Sequence, residues 1–218
     1  MKLFDSIVNN NAGGNDIGGR AGGGIFNAGT MMLYDSDVSD NSAIFPSSLT
    51  GAGGGIFNSV DATLVLRSST VTGNRSRSGG GISNGGSLSL YDTAISGNTG
   101  LGTAIGYEPA GEGGGILNSP DATVVLRSST VTGNRTGLGG GISNGGSSSL
   151  YDTTITGNTA LGALLGFDPP GVFGYEPPGG GIYDVGALNV FDSVISGNTP
   201  NDCTQVFASP PYSAECSL

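Results

Sequence analysis

The chain of 218 residues contains no histidine and no tryptophan. The lack of histidine removes the usual general base and the commonest zinc ligand. Charged residues make up only 11% of the chain, and the net charge is −10. This excess of acid argues against a nucleic-acid partner, because few cations could neutralise phosphates. It also argues against an anionic membrane surface, whereas it permits cation binding.

Long apolar runs are missing too, since none approaches the ~18 residues of a membrane span. No leader is visible, because Met1 and Lys2 are followed at once by repeat sequence; we expect a removed leader or an excised segment. Glycine, at 43 residues, has no Gly-X-Y period, which excludes collagen. The only cysteines, Cys203 and Cys216, are either free thiols or a terminal disulfide. The disulfide is favoured because it would fit an extracellular protein.

One stretch, GGGISNGGSLSLYDTAISGN at residues 79–98, recurs along the chain with variations. Units that start with the glycine triplet and isoleucine begin at residues 22, 53, 79, 113, 139 and 179. We predict a single β-helix domain over residues 1–218, because repeated units of this size stack into one continuous core. It would consist of a partial first coil at 1–21, repeat coils at 22–199 and a C-terminal tail or cap at 200–218.

Apolar and polar residues alternate within each unit, as in Leu64-Val65-Leu66-Arg67. A period of two is typical of half-buried strands, and the dense glycine excludes helices. Each unit offers three short strands, around Gly-Gly-Gly-Ile, around Leu-x-Leu and around Ser-x-Val. Such a coil cannot bury its own core, but stacked copies can. The sequence therefore predicts an all-β, right-handed parallel β-helix (β-solenoid) of about seven coils with three short strands each.

Asparagine fills one position in all seven units and a second position in most of them. The first set is Asn11, Asn41, Asn74, Asn98, Asn134, Asn158 and Asn198, and the second is Asn27, Asn58, Asn84, Asn118 and Asn144, with Asp184 last. An asparagine amide can donate to and accept from the copies above and below it. We interpret both columns as structural ladders at turns, in preference to a ligand site.

These columns resemble the right-handed parallel β-helix repeats of bacterial surface proteins. The nearest pattern is the polymorphic outer-membrane protein repeat, which combines GGA-I/L/V with F-x-x-N. Here the first motif is GGGI and the second is Val71-Thr-Gly-Asn74 or Ile95-Ser-Gly-Asn98, so that Val or Ile replaces Phe. The final coil, residues 195–203, also looks like the last coil of secreted β-helix proteins. The resemblance implies an extracellular or surface-exposed scaffold, often adhesive.

Parallel β-helices also include pectate lyases and polygalacturonases, whose sites need clustered acids, often with Ca²⁺. The candidate acids are Asp35, Asp92, Asp152 and Asp192, which share one column. Beside them we predict an outward column in which each arginine lies between two aromatic rings and reaches the neighbouring aspartates: Tyr34, Arg67, Tyr91, Arg127 and Tyr151. A catalytic set should be unique to one or two coils, so a column that repeats with the scaffold favours a structural role.

Longer segments leave one corner of the repeat after Asn41, Asn98 and Asn158, and we expect them to gather into one wall. The residues that this loop wall would expose for ligand binding are Tyr107, Glu108, Phe167, Asp168, Phe173, Tyr175 and Glu176, with Arg75, Arg77 and Arg135 nearby. Scaffold-held loops often carry binding residues. Such aromatic rings with acids could bind a sugar or a partner protein, or merely cover the side of the solenoid.

A third surface is formed by outward threonines in Thr-x-Thr pairs, at 70/72, 130/132 and 154/156. Regular threonine rows can order water, as in ice-binding solenoids. However, the row is broken by Asp37/Ser39, Ala94/Ser96 and Val194/Ser196. The alternative explanation is the strand propensity of threonine at exposed positions.

From these observations we expect an extracellular or cell-surface structural or adhesive module without catalytic activity. The alternatives are a carbohydrate-binding or polysaccharide-cleaving β-helix that acts through the loop wall, and an ice-binding solenoid. No cofactor is expected, with Ca²⁺ the one ion the acids could take. Partners would be a glycan or surface protein, with no nucleic acid and no membrane insertion. A monomer or end-to-end dimer is favoured over a filament.

Overall fold

The computed structural model describes residues 1–13, 22–44, 52–102, 111–161, 179–206 and 213–215. Over these ranges the chain winds through successive coils whose strands stack into four sheets, which confirms the predicted all-β parallel β-helix. Two of the sheets contain seven strands each, in agreement with seven coils. Among the described residues, no helix is long and apolar enough to cross a membrane.

We number the sheets in the order in which a coil visits them. Sheet 1 contains Ile25–Asn27, Ile56–Asn58, Ile82–Asn84, Ile116–Asn118, Ile142–Asn144, Ile182–Asp184, Cys203–Val206 and Ser213–Glu215. Sheet 2 contains Lys2–Phe4, Thr30–Tyr34, Thr63–Arg67, Ser87–Tyr91, Thr123–Arg127, Ser147–Tyr151 and Ala187–Phe191. Sheet 3 contains Ile7–Asn9, Asp37–Ser39, Thr70–Thr72, Ala94–Ser96, Thr130–Thr132, Thr154–Thr156 and Val194–Ser196. Sheet 4 contains Ser42–Ala43, Arg75–Ser76, Thr99–Gly100, Arg135–Thr136 and Thr159–Ala160.

Equivalent residues of neighbouring coils pair with each other in parallel register. Ile82, for example, lies between Ile56 and Ile116, and Asn84 lies between Asn58 and Asn118. The exception among the named strands is the last pair, Cys203–Val206 with Ser213–Glu215, which is antiparallel. Residues at equivalent repeat positions therefore stack on one another along nearly all of the described solenoid.

Sheet 4 departs from the expected three strands per coil. It is built from strands of only two residues, too short to show an alternation in the sequence. In each of them the inward residue is small. These inward residues are Ala43, Ser76, Gly100, Thr136 and Ala160, all of them buried.

Four columns of inward side chains form the core of the rod. Three of them were predicted from the alternation: the isoleucines of sheet 1, the second apolar column of sheet 2 and the central residues of sheet 3. The fourth is the first apolar column of sheet 2, which consists of Met31, Leu64, Leu88, Val124, Ser148 and Leu188. Burying one Leu, Ile or Val side chain stabilises by about 1.5–3 kcal/mol, so the columns supply the main driving force.

Ser148 is the polar member of that fourth core column, and its side chain is only 1% exposed. Its hydroxyl donates to Oδ1 of Asn144 at 2.8 Å. The buried hydroxyl is therefore satisfied by the neighbouring asparagine column, which removes most of the cost of placing serine there.

The glycine triplets mark the corner where sheet 4 approaches sheet 1. A Cβ added at Gly80 would lie 2.4 Å from the carbonyl oxygen of Gly114 and 2.6 Å from the carbonyl carbon of Thr99. These obstacles are backbone atoms, which cannot move aside as a flexible side chain could. The middle glycine of the triplet is thus required by close backbone approach.

We expect Gly80→Ala to destabilise the protein by more than about 2 kcal/mol, because the added methyl group overlaps fixed backbone atoms of two neighbouring segments. The matched control is Gly29→Ala, since a Cβ at Gly29 would meet no atom within 4 Å. Urea unfolding of both variants measures the difference. Equal losses of stability would show that the triplet corner tolerates side chains and would contradict the close-approach explanation.

Candidate functional site

The asparagines at the corner between sheets 3 and 4 form a continuous hydrogen-bonded ladder. In each step, Nδ2 of one asparagine donates to Oδ1 of the equivalent asparagine in the next coil, as from Asn74 to Asn98 and from Asn98 to Asn134, both at 3.0 Å. The backbone N–H of the same residue donates to the same Oδ1. Nδ2 of Asn98 also donates to the carbonyl of Val71 at 2.9 Å, so each buried amide is satisfied on both atoms.

A second ladder runs at the corner between sheets 1 and 2. Nδ2 of Asn58 donates to Oδ1 of Asn84 at 2.8 Å, and Asn84 donates in the same way to Asn118 at 2.9 Å. All members from Asn58 onward are fully buried. The direction of donation is the same as in the first ladder, toward the C-terminal coils.

Both ladders end on a carboxylate at the C-terminal side. Asn144 donates to Oδ1 of Asp184 at 2.7 Å, and Asn198 donates to Oδ1 of Asp202 at 3.0 Å. A carboxylate accepts but carries no N–H, so it closes a donor chain without leaving a buried amide unpaired. Gln205 also donates to the second oxygen of Asp184 at 3.2 Å, which ties the tail strand to the last coil.

A column of hydroxyl groups, which the sequence analysis did not predict, lies at the turn between sheets 2 and 3, and hydrogen bonds join some of its neighbouring members. The backbone N–H of Thr93 donates to Oγ of Ser129 at 3.2 Å, and that hydroxyl donates to the carbonyl of Arg127 at 2.8 Å. The equivalent residues are Ser6, Ser36, Ser69, Thr93, Ser129, Thr153 and Ser193. In every coil a Ser or Thr follows two residues after the aromatic residue or arginine that ends the sheet 2 strand. This pattern in the sequence could have predicted the hydroxyl column.

The aromatic and arginine column on the outer edge of sheet 2 is only partly as expected. The Arg67 guanidinium carbon lies 4.0 Å from the centre of the Tyr91 ring, and that of Arg127 lies 3.9 Å from the centre of the Tyr151 ring. Each arginine thus stacks on the aromatic ring of the following coil, whereas a contact with two rings was predicted. Within the described ranges, neither arginine forms the expected ion pair with a neighbouring aspartate.

Ring faces in this column are directed at other members of the column. Phe4 stacks on Tyr34 with ring centres 4.8 Å apart, and Tyr151 stacks on Phe191 at 4.9 Å, with nearly parallel planes in both pairs. Tyr151 therefore has Arg127 on one side and Phe191 on the other. Because a sugar would stack on a ring face, this arrangement favours a structural role for Tyr151.

The candidate acids occupy the turn that leads from sheet 2 to sheet 3. Asp35, Asp92, Asp152 and Asp192 all have a positive φ, between 47° and 48°, which aspartate tolerates better than most residues. Arg67 and Arg127 are followed by serine at this turn position. Among the residues that the structure describes, no group of three or more Cys, Asp or Glu side chains could hold a metal ion.

The outward threonines of sheet 3 form two columns that share the register of the strands. Thr72, Ser96 and Thr132 are consecutive members of one column, and the Thr72 and Ser96 hydroxyls lie 3.2 Å apart. The other column is interrupted by Ala94 between Thr70 and Thr130. The rows are regular but mixed, and ice binding stays a prediction.

The loop wall lies outside the part of the chain that the structure describes. This applies to all of its candidate binding residues: Tyr107, Glu108, Phe167, Asp168, Phe173, Tyr175 and Glu176. Of the arginines placed near it, Arg77 is half-buried, and its Nη1 donates to the carbonyl of Gly102 at 3.0 Å. Arg75 and Arg135 are exposed on sheet 4.

Cys203 is buried in the tail strand and is disulfide-bonded. Cys216 is the only other cysteine in the sequence and falls outside the described residues, so the proposed pairing of the two stays a prediction. Together with Asp202 and Gln205, Cys203 places three anchoring groups within four consecutive residues of the tail.

Glu112 is an acid whose pKa is shifted by its surroundings. It lies just before the triplet at Gly113, where its carbonyl accepts from the N–H of Gly79 at 2.8 Å. Burial raises the pKa of its carboxyl above the ordinary value of 4.5. The shift comes from desolvation, which disfavours the charged form.

Comparison of the chain with protein-family models, with curated proteins and with solved structures finds no match. The geometry of the described residues therefore carries the functional argument.

We expect Glu112→Gln to change how stability depends on pH. Burial raises the folded-state pKa, so below about pH 4.5 the Glu112 carboxyl is protonated in both the folded and the unfolded protein and costs no stability. As the pH rises through the raised pKa, ionisation of the buried carboxyl lowers the free energy of unfolding. The glutamine variant cannot ionise, so it should be more stable than the wild type at pH 7 and no more stable near pH 4. Urea unfolding across this pH range measures the difference. Asp121→Asn, which removes the same charge at an exposed turn, is the control; a pH-independent gain in Glu112→Gln would contradict the desolvation.

Proposed function

We propose that the protein is an extracellular structural or adhesive β-solenoid module without catalytic activity. One observation carries this proposal. The asparagines of the two ladders and the arginines stacked on tyrosines recur on several coils, and their contacts are to residues at equivalent positions of neighbouring coils. Asn98 bonds to Asn74 and Asn134, and Arg67 and Arg127 each cover a tyrosine. These side chains hold the stack together, which is the task of a scaffold.

The proposed location outside the cell rests on two supports. The GGGI and V/I-x-G-N motifs resemble repeats of the polymorphic outer-membrane proteins, whose β-helices are displayed on bacterial surfaces. The disulfide at Cys203 supports the same location, because disulfides persist mainly in oxidising compartments. A rigid rod of this kind would present its outer faces to a glycan or to a surface protein, as a monomer or end-to-end dimer. No cofactor is required by this role.

A second candidate function is that of a carbohydrate-binding or polysaccharide-cleaving β-helix. The exposed arginines of sheet 4 favour its binding form, since they are available to an anionic ligand. Its cleaving form would need acids concentrated on one or two coils, with Ca²⁺ as the ion they would take. The four candidate acids, at positions 35, 92, 152 and 192, instead follow the repeat along the solenoid.

The absence of catalysis can be tested directly. We expect no new reducing ends, and no absorbance from unsaturated sugars, after incubation with polygalacturonate, alginate or hyaluronan, with and without added Ca²⁺. Turnover by the folded protein that heat unfolding abolishes would contradict the proposal. If turnover occurs, the paired variant Asp92→Asn and Asp152→Asn shows whether the acidic column is responsible.

A further inference from the structure

Two arginines lie in one outward column of sheet 4, two coils apart. The backbone register of this column runs Ser42, Arg75, Thr99, Arg135 and Thr159. Arg75 and Arg135 are both exposed. Each is the last residue of an identical nine-residue segment, RSSTVTGNR, at residues 67–75 and 127–135. The two arginines therefore occupy equivalent positions on the scaffold.

These two side chains differ from the other arginines that the structure describes. Arg67 and Arg127 stack on tyrosine rings, and Arg77 donates to a backbone carbonyl. Arg75 and Arg135 form no ion pair, side-chain hydrogen bond or ring contact in the described part of the chain. In a protein with a net charge of −10, acids are plentiful, yet none of those described neutralises either guanidinium. Both cations are therefore available to an anion from outside.

The surroundings of the two arginines indicate what kind of anion fits. The column contains no carboxylate, and its other members carry hydroxyl groups, at Ser42, Thr99 and Thr159. Stacked strands lie about 4.7–4.9 Å apart, so equivalent atoms two coils apart are separated by roughly 9.4–9.8 Å. The face thus alternates a cation with a hydroxyl group at each step along the rod.

We propose that this face, named the arginine strip and defined by Arg75, Thr99, Arg135 and Thr159, binds a linear polysaccharide that carries one carboxylate on every second sugar. An extended pyranose chain advances by about one coil spacing per sugar. Its carboxylates would meet Arg75 and Arg135, while the sugar between them would meet the hydroxyl of Thr99. The inference rests on the proposed function because it names the ligand class of an adhesive rod.

Charge density distinguishes this ligand from a nucleic acid. Duplex DNA carries one charge per roughly 1.7 Å of its axis, whereas the strip offers one cation per two coils. Most phosphates would therefore stay unpaired against a protein whose net charge is −10. A polymer with sparse carboxylates matches the strip without that repulsion.

The test uses the full chain and hyaluronan, a chain in which a carboxylate occurs on alternate sugars, with binding measured by calorimetry at low salt. We expect Arg75→Gln or Arg135→Gln alone to weaken binding by about fivefold, and the double variant by about 25-fold, since well-separated contacts add. The matched control is the double variant Arg67→Gln and Arg127→Gln. It removes the same charge at the same two-coil spacing, and its affinity should stay within about twofold of the wild type.

A second variant tests the spacing itself. Arg135→Thr combined with Thr99→Arg keeps the net charge but moves the second cation to the coil next to Arg75. We expect this variant to bind hyaluronan no more tightly than the Arg135→Gln single variant, because Arg75 keeps its contact while the displaced cation does not restore the second one. Circular dichroism and urea unfolding confirm that each variant is folded before affinity is compared.

Three results would overturn the inference. They are no binding of hyaluronan by the wild type, equal losses in the two double variants, or duplex DNA binding more tightly than hyaluronan. Each leaves the proposed non-catalytic function intact. Cleavage of hyaluronan would instead overturn the proposed function, so the two failures are distinguishable.

Discussion

A buried asparagine amide in each coil after the first is the interaction on which the rest of the structure depends. Taking an unpaired amide out of water costs several kcal/mol. This cost is removed only if the amide forms hydrogen bonds with groups of both neighbouring coils. Asn98 meets that condition: its Oδ1 accepts from Asn74, and its Nδ2 donates to Asn134 and to Val71. A shift of one coil by a single residue would break all of these bonds at once. The ladder therefore fixes the register of the stack.

Other features follow from that fixed register. Because equivalent residues are held in line, the apolar columns close into one core and the middle glycine of each triplet can approach the next coil closely. The same order is imposed on the outside, where arginines and tyrosines recur in line. A scaffold that repeats its surface at a constant step is suited to binding a partner that also repeats. This is how the polar interior bears on the proposed adhesive function.

Much of the fold could be predicted because identical columns in the sequence become identical columns in space. The isoleucine column and the Asn98 column needed only an alignment of the repeats. Sheet 4 could not be predicted, since a two-residue strand such as Arg75–Ser76 has no periodicity. The Arg67 stack on one ring also lay beyond the sequence, because register alone allows a rotamer toward either neighbouring coil.

The candidate site was less predictable than the fold. From the sequence, Ser148 interrupts an apolar core column. Its hydrogen bond to Asn144, which explains the serine, is visible only in the structure. The carboxylates of Asp184 and Asp202 end the ladders because of the direction of donation, which no residue pattern reveals. The freedom of Arg75 and Arg135 depends on the absence of contacts to the described residues around them. Repeated residues thus predict the scaffold. The direction of the hydrogen bonds and the lack of a partner for an arginine are visible only in the three-dimensional structure.

The direction of the asparagine ladder is the central claim, and the stability of Asn98→Asp tests it most directly. The substitution preserves shape but replaces Nδ2 with an oxygen that would face the Val71 carbonyl and Oδ1 of Asn134, now 2.9 and 3.0 Å from Nδ2. We predict a loss of about 3 kcal/mol or more in urea unfolding at pH 7, partly recovered in acid, where the protonated carboxyl can donate again. Unfolding of Asn98→Asp at the same urea concentration as the wild type at pH 7 would contradict the account.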